Sequence, residues 1–141
     1  MNWYLQAIEK YADFSGRARR MEFWMFTLFN IIFLMAARII DRISGSNINN
    51  LFGDSVDFFL EHFPHLPHIG LIYILYTLAI IVPSLAVKVR RLHDTGKSGF
   101  FLLLIFIPVI GFIVLLVLML TDSQFGPNKW GSNPKNVTFG S

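Results

Sequence analysis

The stretch Arg91-Leu92-His93-Asp94-Thr95-Gly96-Lys97-Ser98 holds the residue types most able to do chemistry. Its end, Gly-Lys-Ser, matches the end of a nucleotide-binding P-loop. That loop also needs a glycine five residues before the Gly-Lys pair, so that bare backbone N–H groups can wrap the phosphates. The position is Arg91, so a nucleotide site is not expected. Two other chemistries remain. His93 beside Asp94 suits acid–base work, because histidine titrates near neutral pH, and these two are the candidate catalytic residues. Arg90, Arg91 and Lys97, together with Arg17, Arg19 and Arg20 from an earlier basic segment, suit phosphate: guanidinium offers paired donors to phosphate oxygens. Glu22 and Asp94 can also pair with these arginines and hold two segments together.

A second pattern is "HFPHLPH", in which His62, His65 and His68 recur every three residues. Prolines 64 and 67 favour polyproline II, which also has three residues per turn and would gather the imidazoles on one face. With Glu61 nearby this is a candidate zinc or copper surface, but a proline-stiffened solvated loop with no bound metal is the expected reading. The final segment alternates turn formers, Gly126-Pro127-Asn128 and then Gly131-Ser132-Asn133-Pro134. Its oxygens lack the spacing of a calcium loop, and a structural cap anchored by Phe125 and Trp130 is expected. Nothing in these patterns implies a cofactor or nucleic acid.

The elements that must position these residues are set by composition. In 141 residues, 54% are apolar, 15% are charged and 15 are phenylalanine. A soluble domain carries about a quarter charged residues, so the excess apolar surface must face lipid. There is no cysteine, which removes disulfides and thiolate metal sites. The first twenty residues lack a continuous apolar core, so the membrane segments themselves are expected to act as the targeting signal. Apolar runs cover 22–40, 69–87 and 99–120, each near the roughly 20 residues that a helix needs to cross the hydrocarbon. Long unbroken runs are not the alternating strands of a membrane barrel. The expected fold is therefore all-α: a single membrane domain with three transmembrane helices. Residues 1–16 place Trp3, Tyr4, Ala7, Ile8, Tyr11 and Phe14 at helical spacing, an amphipathic interfacial helix before the first span.

Lysine and arginine set the orientation. Lys10, Arg17, Arg19 and Arg20 precede the first span, and Lys88, Arg90, Arg91 and Lys97 lie between the second and third. Both segments should be cytoplasmic, as should the N-terminus, with 41–68 an external loop. Three full crossings would put the tail, 121–141, outside. Pro108 and Gly111 at the middle of the third run allow an alternative, a re-entrant hairpin that returns the tail to the cytoplasm. Asn30, Thr27 and Ser84 are the polar groups available for bonds between helices. No charge lies at mid-membrane, against a proton-coupled pump, and a pore would require a homo-oligomer.

Three motifs, "YADFSGRARRMEFW" (Tyr11 to Trp24), "RRLHDTGKSGFFLLL" (Arg90 to Leu104) and "DSQFGPNKWGSNPK" (Asp122 to Lys135), occur in an order and spacing that resembles the bacterial domain-of-unknown-function family 805, small inner-membrane proteins. The resemblance implies a helical bundle in the bacterial plasma membrane and implies no activity. The expected function is a binding or scaffolding module whose basic cytoplasmic face, Arg17, Arg19, Arg20, Arg90, Arg91 and Lys97, contacts anionic lipid headgroups or an acidic partner protein. The competing expectation is a lipid-headgroup-modifying enzyme built on His93 and Asp94.

Overall fold

The computed structural model describes residues 2–46 and 70–136. His62, His65, His68 and most of the expected external loop lie outside them. The described elements are helical: α1 (Asn2–Glu9), α2 (Arg20–Ser44), α3 (Leu71–Asp94), a 3-10 helix (Gly99–Phe106), α4 (Ile110–Leu120) and a 3-10 turn (Pro134–Asn136). At 1.5 Å per residue the 25 residues of α2 and 24 of α3 reach about 36–38 Å, enough for roughly 30 Å of hydrocarbon. Only 22% and 17% of their most apolar windows are buried inside the protein. These are not the core helices of a soluble domain, and their free apolar surface suits lipid.

Both spans run past their expected ends. α2 continues through Asp41 and Arg42 to Ser44, residues assigned from sequence to the external loop. α3 takes in Arg90, Arg91, His93 and Asp94, so the expected basic loop is mostly the last two turns of a helix. Apolar run length marks where lipid ends, and a helix with polar partners at its tips need not stop there.

The chain divides into two compact units, Phe29–Ile81 and Met1–Leu28 with Val82–Ser141. In the first, α2 and α3 are joined by polar contacts between helices. The Tyr76 hydroxyl donates to Asn30 Oδ1 at 2.5 Å. Asp41, 3% exposed, accepts from the first free backbone donors of α3, Ile72 N at 3.0 Å and Tyr73 N at 2.8 Å. That is an N-cap supplied by another helix, and it satisfies donors that otherwise have no partner. Gly70 admits the carboxylate, because a Cβ there would sit 2.0 Å from Asp41 Cγ. Thr27, in the other unit, bonds back to Phe23 O at 2.8 Å within α2 rather than across helices.

In the second unit α1 packs on the start of α2. Tyr4 stacks on Phe26 with ring centroids 5.7 Å apart, and Ala7 is fully buried. The helix ends at Glu9, so Tyr11 and Phe14 are not on its face. α3 closes in a Schellman motif: Lys97 N donates to Leu92 O at 2.9 Å and Gly96 N to His93 O at 3.0 Å, with Gly96 at φ +76°. The Gly-Lys-Ser sequence is therefore a helix stop, its glycine chosen for a left-handed backbone.

The expected single helix over 99–120 is absent. A 3-10 helix covers Gly99–Phe106, the chain turns at Ile107–Val109, and α4 returns against it. Val109 sits at φ +64° and ψ −66°, with Ile110 N bonded to Pro108 O at 2.8 Å. This is the strained, positive-φ form of the γ-turn. Gly111 closes the hairpin, since a Cβ there would lie 1.7 Å from the Leu104 carbonyl oxygen. Each arm is about 16 Å long, half the hydrocarbon thickness. Pro108 denies a continuous helix its backbone donor, and Gly111 permits the two backbones to touch.

Candidate functional site

The two ends of the hairpin meet at the end of α3, and Asp94 organises the meeting. Its side chain is fully buried. Arg17 Nε donates to Oδ1 at 3.0 Å, Arg91 Nη1 donates to Oδ2, and Ser123 Oγ donates to Oδ2 at 2.6 Å. Its backbone carbonyl accepts from Gln124 N at 2.8 Å. The carboxylate is thus held by the segment before α2, by α3 itself and by the tail after α4.

Both arginines direct their remaining donors to backbone carbonyls of these segments and of the end of α4. Arg17 Nη1 donates to Gly126 O at 2.7 Å and Gly131 O at 3.4 Å, and Nη2 to Gln124 O at 2.7 Å. Arg91 donates to Met119 O at 3.3 Å, Ala18 O at 3.4 Å and Thr121 O. A planar guanidinium with five donors suits this work, because it satisfies carbonyls that the turns and helix ends leave open. Ala18 N adds a bond to Arg90 O at 3.0 Å.

His93 takes no part in the Asp94 network. Its Nδ1 faces the Gly16 carbonyl at 3.3 Å and so carries the proton. The ring stacks on Trp130 at 4.5 Å and 12°, and Lys129 Nζ lies 4.2 Å from the Trp130 centroid. Neighbours in sequence, His93 and Asp94 point to different partners and form no acid–base dyad. Among the described residues no three His, Asp or Glu side chains gather as metal ligands would.

Three of the six expected headgroup ligands are turned inward: Arg17, Arg90 and Arg91 are 7%, 1% and 0% exposed. The sequence expectation fails for them, because a charge buried this far must be answered within the protein. Arg17 and Arg91 are so answered. Arg90 has Glu22 Oε1 3.2 Å from Nη2, yet none of its side-chain nitrogens has a hydrogen-bond partner among the described residues. Its charge is balanced by proximity alone.

The outward cations lie elsewhere. Arg20 and Lys97 are exposed and Arg19 half-buried; Lys97 rests near the Phe101 ring at 5.7 Å. Arg19 Nη2 reaches the Pro134 carbonyl and helps form an open cleft of about 410 Å3. Arg19, Arg20, Met21, Trp24, Asp122 and Lys135 line it. Lys135 Nζ pairs with Asp122 Oδ1 at 2.5 Å, both side chains about half in solvent. Its hydrogen bond holds the Asp122 carboxyl below the usual carboxylate range.

Sequence inspection missed the tail's role here. The turn formers of 126–134 signalled exposed carbonyls, and the buried arginines needed such acceptors. Pairing the two requires knowing that the hairpin returns.

The family whose pattern matches residues 11–132 is "Protein of unknown function (DUF805)". The chain is 43% identical over its full 141 residues to the Inner membrane protein YhaI of Escherichia coli K12, covering 99% of that protein. It is 34% identical over 135 residues, 96% of this chain and 98% of the relative, to the Inner membrane protein YhaH of the same organism. No solved structure matches. The chain belongs to the DUF805 family and is an integral inner membrane protein.

Proposed function

We propose that this protein is a binding or scaffolding module whose basic face lies at the cytoplasmic surface of the inner membrane and contacts anionic lipid headgroups. In this reading α2 and α3 cross the bilayer, α1 lies in the inner interface, and the 99–120 hairpin is re-entrant. The N-terminus and tail then share the cytoplasmic side. Support comes from the bonds that tie Arg17, Asp94 and the tail into one cluster, and from the basic flanks that favour the inside.

The observation that carries the lipid assignment is the cleft beside the first turn of α2. Arg19, Arg20 and Lys135 meet Trp24 there, and an aromatic ring one turn into a spanning helix suits the headgroup boundary. The buried arginines build the frame, leaving Arg20, Lys97 and the cleft for contact.

The test uses purified full-length protein in nanodiscs of phosphatidylcholine with increasing phosphatidylglycerol, read by native mass spectrometry of retained lipid. Each basic residue near an anionic surface contributes about 1 kcal/mol, so reversal in Arg20→Glu should weaken retention by about 2 kcal/mol, roughly thirtyfold. Rising salt should erase the difference. Equal retention of both lipids by the wild type would reject the proposal.

A further inference from the structure

A second and larger cleft, of about 680 Å3, opens at the last turns of α2, within the unit Phe29–Ile81. Met35, Arg38, Ile39 and Arg42 line it at the three- and four-residue spacing of one helix face. That face grades from apolar to cationic towards the helix tip, and both arginines are exposed. Among the described residues neither guanidinium has an ion-pair or hydrogen-bond partner.

We infer that this cleft binds the headgroup of an outer-leaflet phospholipid whose phosphodiester is its only charge, the phosphatidylglycerol class. The inference uses the proposed crossing of α2 but not the cytoplasmic lipid contact. Arg38 stands about 27 Å along α2 from its first residue and Arg42 about 33 Å. They bracket the roughly 30 Å of hydrocarbon, so Arg38 is rooted in the apolar zone and its guanidinium extends to the phosphate level. A cation at that depth needs an anion. Asp41 also borders the cleft but does not supply it, because its two oxygens receive Ile72 N and Tyr73 N. Two arginines and one carboxylate leave a single positive charge in excess, which one phosphodiester balances. A headgroup ammonium would restore the excess. The planar guanidinium forks match phosphate oxygens, while Met35 and Ile39 on the same face offer an apolar wall to the first carbons of the acyl chains.

Net headgroup charge is the discriminating variable. Phosphatidylethanolamine and phosphatidylcholine carry the same phosphodiester with an ammonium added, so a site that collects any phosphate treats all three lipids alike. Each basic residue near an anionic headgroup corresponds to about fivefold in retention, and two arginines to about thirtyfold.

The experiment offers the three lipids, with identical acyl chains, to delipidated full-length protein in detergent, and native mass spectrometry reads what is retained. Soluble glycerophosphoglycerol is a fourth probe. Arg38→Gln and Arg42→Gln together should lower retention of phosphatidylglycerol about thirtyfold and change the other two lipids little. Arg38→Lys with Arg42→Lys keeps the charge and should restore most of the loss. The loss should be of equal size when Arg20→Glu is also present, so a failed cytoplasmic reading leaves this one standing. A single cysteine at Ser44, exposed at the end of α2, should react with an impermeant thiol reagent in intact cells. No loss in the double Gln variant, or the same loss for all three lipids, overturns the inference. A double variant that loses thermal stability but keeps its lipid also overturns it and assigns the arginines to carboxylates of this chain. Equal competition by glycerophosphoglycerol would overturn the lipid assignment and leave a soluble phosphodiester as the ligand. Reaction of the cysteine only in opened cells would overturn the outer-leaflet placement.

Discussion

Asp94→Asn is the perturbation whose consequence follows most fully from the geometry. The substitution keeps the shape of the side chain and removes its charge. Two buried guanidiniums, Arg17 at 1% and Arg91 at 0% side-chain exposure, then share no counter-charge at Asp94. One oxygen becomes an amide NH2 that faces an N–H donor. The surviving contacts to the carbonyls of Gly126, Gln124, Met119 and Thr121 satisfy hydrogen bonds but do not neutralise charge. Breaking a buried ion pair by removing one partner costs about 3–5 kcal/mol, or roughly two to three and a half powers of ten in the folding equilibrium. The assay is equilibrium unfolding in mixed micelles, read by tryptophan emission, with limited proteolysis alongside. Because the tail is bonded to Asp94 and its two arginines, cleavage after Lys129 and Lys135 should appear before the spans unfold. A loss below about 1 kcal/mol, the range of an exposed pair, with an intact tail would refute the role given to Asp94.

Four further changes have defined outcomes. Glu22→Leu or Arg90→Met alone should destabilise by about 3–5 kcal/mol, but the double variant should recover most of it, since the Arg90 nitrogens and Glu22 Oε1 have no hydrogen bonds to offset their burial; a double-mutant cycle in micelles measures this. Asp41→Ala removes the cap on α3 and should cost about 1–2 kcal/mol, seen as faster amide exchange at Ile72 and Tyr73. Val109→Gly relieves a positive-φ strain of about 1–3 kcal/mol against a glycine entropy cost of about 0.5–1 kcal/mol, so thermal unfolding should rise or hold. Gly111→Ala forces a methyl into the Leu104 carbonyl, and the same scan should show a clear loss.

Much of the fold was legible in the sequence. The all-helical class, the two spans and the family could be read from apolar runs and three motifs, because lipid imposes a length and forbids polar interruption. The exact ends of α2 and α3 could not. Asp41 and Asp94 look like loop charges until their partners are known, one capping a helix distant in sequence and one neutralising two arginines. The hairpin was visible as Pro108 and Gly111, yet hydropathy alone cannot separate one crossing from two half-crossings of the same composition. The candidate site was half legible. The arginines were singled out, but a basic residue reads the same whether it meets lipid or a buried carboxylate. Only the returning tail, with Ser123, Gln124 and the carbonyls of 126–131, decides which is which.

That return is tested most directly by labelling. Single cysteines at Ser98 and Ser132, in a chain with none of its own, are probed with a membrane-impermeant thiol reagent in intact and then opened cells. With a re-entrant hairpin, both sites react only after the cells are opened. Labelling at Ser132 but not Ser98 in intact cells would mean that 99–120 crosses fully, and the cluster of Arg17, Arg91, Asp94 and the tail could not exist in the membrane.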